Sequence, residues 1–297
     1  MVFQVSTITA CLFVLAGYIG HTSSGLPQRF ELTDVETSYL KTAAGSIEAK
    51  RCNASSGNQV LPESACVYNN RDASIAVLGD SHAVELAFAL GKVYESERTG
   101  VQQLSYSGCR PSLLAGKNTG CLEWTRMAVR HILETPSIEY VVIAYKVSAA
   151  YSSDHYGLYP NLPPVSGMDE IIEMEKNIYG LVEALSSGKK HVIFLHQSPE
   201  IPRSIEWVVH RMGAHHEVSG VPIEWWNRRY APAKRLSFSE EIRVVNPVDI
   251  FCDRVKCLAG KEGVSYYFDD DHLSVEGAHK VALKVKSIIS QIGAANL

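Results

Sequence analysis

Residues 74–90 read SIAVLGDSHAVELAFAL. An apolar run, Ile75 to Leu78, stops at Gly79-Asp80-Ser81-His82, and an amphipathic pattern resumes at Val84 with Leu86, Ala87 and Leu90 on one helical face. The spacing predicts a strand, a tight turn and a helix, with Ser81 at the helix start. A hydroxyl there sits beside the unpaired N–H groups and positive end of the helix, where negative charge is stabilised. A glycine-led turn also lets a carbonyl approach the backbone closely. Two readings follow: Ser81 is a nucleophile at the C-terminal edge of a sheet, or Asp80 or Ser81 is an ordinary helix cap.

Outward from this stretch, the pattern repeats. Val101–Tyr106, Tyr140–Tyr145, His191–Leu195 and Ile242–Asn246 read as further short strands. Trp124–Leu133, Asp169–Leu185 and Val275–Ile292 carry helical spacing. Ser152–Pro164 reads as a Tyr- and Pro-rich loop, and Ile201–Ser239, which holds three tryptophans, as an insertion with one or two helices. Residues 25–73 read as an irregular N-terminal cover, so the domain proper spans residues 74–297. Val/Ile-rich strands alternating with helices imply a parallel sheet covered on both faces. Ligands of such sheets bind beyond the carboxyl ends of the strands. Ser81, Ser107-Gly108, Lys146 and Gln197 all follow strands and are expected on one rim.

Composition narrows the function. The 297 residues carry 46% apolar and 20% charged side chains, enough for a sizeable core, and a net charge of −4. With no Lys/Arg cluster, nucleic acid is an unsuitable partner. Arg29 is the first charged side chain; Ala10–Gly20 before it is apolar and small, polar residues follow. Residues 1–24 read as a secretory signal peptide cleaved between Gly20 and Gly25, which makes the protein secreted or extracellular. A membrane anchor facing the lumen, or the last membrane helix of a longer parent, is the alternative. Cys11 falls in this leader, and the other six cysteines form close sequential pairs: Cys52/Cys66, Cys109/Cys121 and Cys252/Cys257. In a secreted chain these suggest disulfides, nearest-neighbour pairing being one of several connectivities. No spacing suits zinc. Asn53-Ala54-Ser55 is a glycosylation sequon.

The second informative stretch is Tyr266–Gly277, YYFDDDHLSVEG. A histidine takes a proton from a serine hydroxyl when a carboxylate holds its other ring nitrogen, and Asp269 and His272 share one short loop. The other readings are a solvated acidic turn, or a metal site that would need further ligands such as His215-His216.

Together the two stretches resemble the SGNH/GDSL hydrolase family, and more closely the SGNH domain at the C-terminus of acyltransferase-3-type sugar O-acetyltransferases. Gly79-Asp80-Ser81-His82 resembles the first block and Asp269-Asp270-Asp271-His272-Leu273-Ser274 the last. Ser107-Gly108-Cys109-Arg110-Pro111, Ser198-Pro199-Glu200 and the Cys252/Cys257 pair agree with that group. The resemblance implies a three-layer α/β/α sandwich with a mostly parallel, flavodoxin-like sheet and no cofactor or metal. It implies Ser81 as nucleophile, His272 as general base and Asp269 as its orienting acid. The oxyanion donors would be the N–H groups of Ser81 and Gly108 and an asparagine after the third strand. That asparagine is absent; Tyr145-Lys146-Val147-Ser148 stands there, with Lys146 as the stand-in. Losing one such donor can cost about 10²–10³ in turnover. The expected activity is a serine esterase or O-acyltransferase moving small acyl groups, acetyl above all, on carbohydrate or similar hydroxyls, with a membrane acyltransferase as a possible acyl donor. The alternative is a secreted binding module that uses Tyr151–Tyr159 and Trp225-Trp226 to hold its ligand.

Overall fold

The computed structural model describes residues 2–22, 32–69, 72–152 and 159–295. In chain order the elements are α1 (Val2–Thr22), α2 (Asp34–Thr42), α3 (Ala49–Cys52), β1 (Val67–Tyr68), β2 (Ala73–Gly79), α4 (His82–Val93) and β3 (Gly100–Ser105). Next come α5 (Thr119–Glu134), β4 (Tyr140–Ala144), α6 (Ser148–Tyr151), α7 (Met168–Ser187), β5 (His191–Leu195) and α8 (Ile205–Met212). The chain closes with β6 (Glu217–Pro222), α9 (Ile223–Arg229), β7 (Arg243–Val245), α10 (Val248–Phe251), β8 (Lys256–Lys261), β9 (Val264–Ser265) and α11 (Val275–Ala295). No helix among the described residues is long and apolar enough to cross a membrane.

The main sheet has the order β1-β3-β2-β4-β5-β7, with every pairing parallel except β1 on β3. Parallel strands buried on both faces alternate their side chains between two cores. Ala76, Leu78, Val141, Ile143, Val192 and Phe194 join the core built with α5 and α7. Ile75, Val77, Val142, Ala144, Ile193 and Leu195 join the other, built with α4 and α11. The three-layer α/β/α architecture follows from this alternation.

The register sets the position of the rim. Gly79 pairs with Ser105 on one side and Ala144 on the other, Ala144 with Leu195, and Leu195 with Val245. The parallel strands therefore end level, and the loops carrying Ser81, Gly108, Lys146 and Gln197 leave one edge.

Two expectations need correction. The N-terminal segment lies over the domain but is not wholly irregular. A capping box starts α2: the Thr33 hydroxyl accepts from the Glu36 N–H at 3.3 Å, and the Glu36 carboxylate accepts from the Thr33 N–H at 2.9 Å. β1 finds its partner some 35 residues downstream, where Val67 pairs with Gln102. The insertion likewise holds more than helices. Its β6 pairs antiparallel with β8, which pairs with β9, in a second small sheet. β6 and β8 are interrupted by Gly220 and Gly260 and pair across a long separation with shifts of register, and β9 has only two residues, so no local period announces them. The Tyr39 hydroxyl donates to the His216 carbonyl at 3.0 Å and the Val275 N–H to the Ala44 carbonyl at 3.0 Å, clamping the N-terminal segment over this sheet and the start of α11.

Of the aromatics a binding module would use, Tyr159 is exposed and the others that are described are not. Trp225, Trp226 and Tyr151 are buried core residues. Residues 153–158 of the Tyr- and Pro-rich loop lie outside the described residues.

Candidate active site

β2 runs into its turn at Gly79, where a Cβ would collide with the Ala144 carbonyl oxygen, so only glycine lets β2 and β4 end side by side. Asp80 organises the turn. One carboxylate oxygen accepts from the His82 N–H at 2.9 Å and the other from the Lys146 N–H at 2.8 Å, joining the start of α4 to the loop after β4. Capping thus falls to Asp80. Ser81 already has helical backbone angles, φ −59° and ψ −22°, and its side chain makes no cap bond. Its Oγ lies 2.8 Å from His272 Nε2.

His272 is held by its own loop. Asp269 accepts from the His272 backbone N–H at 2.6 Å and lies 2.8 Å from the ring Nδ1, so one carboxylate fixes both main chain and ring. With the ring proton on Nδ1, Nε2 is left to accept from Ser81. The His82 ring stacks on His272, with centroids 4.1 Å apart and 24° between planes.

A second carboxylate also reaches the ring. Asp271 Oδ1 is 2.7 Å from His272 Nδ1 and 3.8 Å from His82 Nε2. Its other oxygen forms an ion pair with Lys146 Nζ. Burial by itself lowers the His272 pKa, but hydrogen bonds to Asp269 and Asp271 outweigh it and raise it above the ordinary imidazole value. Burial pushes Asp271 up, yet His272, His82 and Lys146 hold it far below the usual carboxylate range. Lys146 loses by burial and gains more from Asp271, ending raised.

Lys146 is therefore not a free oxyanion donor, because its ammonium is committed to Asp271. The N–H groups of Ser81 and Gly108 have no hydrogen-bond partner among the described residues. Gly108 sits at φ +67°, a left-handed conformation that suits glycine, and open space lies above its Cα. It also borders a cleft of about 430 Å³ lined by Arg110, Ser112, Lys117, Glu170 and Asn177, between the loop after β3 and α7. His82, Asp271 and His272 bring possible ligand atoms within 4.8 Å of one another, as do the three consecutive aspartates. His215 and His216 lie elsewhere, beside Glu262 at the rim of another depression.

The cysteines pair as nearest neighbours: Cys52–Cys66, Cys109–Cys121 and Cys252–Cys257 are disulfides, with Cα separations of 5.4, 5.5 and 3.8 Å. The second closes the loop that begins just after Gly108 and lines the cleft.

A family model described as the SGNH domain (fused to AT3 domains) matches residues 51–286. The chain belongs to this SGNH family. Among solved structures, the SGNH chain is similar to the periplasmic domain of a lipopolysaccharide acetyltransferase from Salmonella ser. Paratyphi A. That likeness has 16% identity and a TM-score of 0.57, and covers 87% of this chain and 98% of that one. A carbohydrate acetylesterase family member from Sinorhizobium meliloti is 12% identical over 74% of this chain and 98% of its own, with a TM-score of 0.43. A putative acylhydrolase from Bacteroides fragilis is 13% identical over 76% and 90%, with a TM-score of 0.43. No curated protein matches the chain.

Sequence reasoning named Ser81, His272 and Asp269, which the fold brings together from positions almost 200 residues apart. It missed Asp271, because nothing in a run of three aspartates says which of them faces the ring. It also missed a buried polar cluster around the Arg229–Glu200 ion pair beneath the rim, whose members come from three separate segments.

Proposed function

We propose that this SGNH domain is a serine-dependent O-acyl esterase or O-acyltransferase acting on small acyl groups, acetyl foremost, attached to or delivered to carbohydrate hydroxyls. One observation carries the reading: the Ser81 Oγ–His272 Nε2 contact of 2.8 Å, backed by the His272 Nδ1–Asp269 contact of 2.8 Å. Ser81 Oγ attacks the acyl carbonyl carbon as its proton passes to His272 Nε2. The tetrahedral oxyanion takes hydrogen bonds from the Ser81 and Gly108 N–H groups. The departing alcohol collects the proton from His272, leaving an acyl-serine. Water or an acceptor hydroxyl, deprotonated by the same ring, then resolves the acyl-serine and restores Ser81. The cleft beside Gly108 has hydroxyl, amide and charged groups suited to a sugar acceptor.

In this reading residues 1–24 direct the chain to an oxidising, extracytoplasmic compartment, where the three disulfides persist. Asn53 is then a glycan acceptor in a secretory pathway that glycosylates, and a membrane acyltransferase, the kind of partner the family's AT3 fusions suggest, supplies the acyl group.

Purified protein is expected to cleave p-nitrophenyl acetate, and Ser81→Ala to abolish that cleavage. A fluorophosphonate probe labels the same residue. Undiminished turnover in the variant removes Ser81 from the mechanism, and a folded protein that resists the probe favours the binding-module alternative.

A further inference from the structure

The relay described above contains one carboxylate more than a serine–histidine–aspartate arrangement needs. His272 Nδ1 faces Asp269 at 2.8 Å and Asp271 at 2.7 Å at once. A general base works only as the neutral ring. Two anions on one imidazole favour imidazolium, and a ring that keeps its proton cannot receive another from Ser81. The fold supplies a counterweight. Lys146, from the loop after β4, projects its ammonium onto the oxygen of Asp271 that does not face the ring. Its backbone N–H is meanwhile fixed by Asp80, so the lysine is mounted on the same turn that presents Ser81.

We propose that Lys146 is a positioning residue that neutralises Asp271, so that His272 experiences a single net carboxylate and can serve as base. This rests on the reading of Ser81 and His272 as nucleophile and base. The other groups around the ring are accounted for. His82 stacks on it from α4. Glu85, also on α4, is buried with its carboxylate accepting from the Ser46 N–H at 2.6 Å, and burial raises its pKa. Asp270 is turned so that its carbonyl accepts from the Ile201 N–H at 2.8 Å, and burial, then Asp271, raises its carboxyl. Glu200 lies beyond Lys146 and is paired with Arg229. Phe268 adds an apolar ring nearly parallel to His272. Among these, Lys146 is the permanent cation in contact with Asp271.

The test is the pH dependence of kcat/KM on p-nitrophenyl acetate, run beside an NMR titration of the His272 ring in ¹⁵N-histidine-labelled protein. Lys146→Met unmasks Asp271, and both the acid limb and the ring titration move to higher pH by about 1–2 units. At a fixed pH on that limb, turnover falls about ten-fold for each unit. Asp271→Asn moves both the opposite way and raises turnover at neutral pH. Lys146→Arg stays near wild type, and the Lys146→Met/Asp271→Asn double variant returns towards it.

A loss of kcat at all pH values with an unmoved ring titration overturns the proposal and marks Lys146 as a scaffold or oxyanion donor. If Lys146→Met does not fold, an unmoved titration in Asp271→Asn overturns it equally. The ring titration needs no turnover. A protein whose ring responds as described but whose Ser81→Ala variant keeps full activity refutes the esterase reading while leaving the charge balance intact.

Discussion

Arg229→Met tests what holds the rim in place. Arg229, at the end of α9, donates from Nε to Glu200 at 2.9 Å and from Nη2 to the same carboxylate at 3.0 Å. Nη2 and Nη1 also reach the hydroxyls of Ser148 and Ser152, each at 3.2 Å. Glu200 further accepts from Ser148 Oγ at 2.8 Å and Gln197 Nε2 at 3.0 Å. The two charged side chains are only 5% and 10% exposed, so solvent cannot replace a lost partner. Removing one member of such a pair costs about 3–5 kcal/mol, because it strands the other charge. For a domain of this size that corresponds to a fall in Tm of roughly 6–20 °C.

The pH dependence carries a sign. In the wild type burial pushes the Glu200 carboxyl up, but Arg229, Lys146 and Ser148 hold it below 4.5. Its stabilisation is therefore present above the unfolded value and lost only as pH falls below it. In Arg229→Met the burial is largely unopposed and the carboxyl rises above its unfolded value. Acidification then protonates Glu200 and relieves the variant. Thermal and urea unfolding at pH 7 and pH 5 should show the gap to wild type narrowing at pH 5, and Arg229→Met/Glu200→Gln should recover part of it. A loss below about 1 kcal/mol at pH 7, or a gap independent of pH, refutes the reasoning.

Two further outcomes follow from the turn and the cleft. Gly79→Ala, whose Cβ meets the Ala144 carbonyl, should give insoluble or unfolded protein, whereas Gly108→Ala meets open space but an unfavourable φ and should fold with a loss of about 1–2 kcal/mol; equal expression and Tm for the pair contradicts this. Cys109→Ser/Cys121→Ser opens a loop with a sequence separation of 12 and should lower urea-unfolding stability by about 3 kcal/mol; an unchanged midpoint shows that the bridge does not constrain the unfolded chain.

How much was legible in advance differs by kind of feature. β2, α4, β4, α7, β5 and α11 announce themselves because each buries a continuous run or one helical stripe, and burial imposes a local period. The ends of β3, β7 and α5 drift by a few residues, since fraying and capping decide boundaries. α2 carried a Thr33/Glu36 box in a polar stretch and was passed over for want of an apolar face. β1 and β9 hold two residues each, too few to own a period, while β6 and β8 are broken by glycines and register shifts and depend on pairing with each other across a long stretch of chain.

The catalytic candidates divide the same way. Gly79-Asp80-Ser81-His82 is local chemistry: a glycine that lets two strands close, an aspartate that caps, and a serine freed from capping. The Asp269–His272 spacing is local too, because one short loop can aim a carboxylate at its own histidine. Those stretches therefore spoke from the sequence alone. That Ser81 meets His272 at 2.8 Å is decided by the tertiary fold, which brings the loop between β9 and α11 to the end of β2. That Asp271 shares the ring, that Lys146 faces Asp271 instead of standing free, and that Arg229 holds Glu200 are likewise tertiary facts. Each depends on where a charged side chain from a distant segment comes to rest in a buried, weakly screened site, and no periodicity encodes that placement.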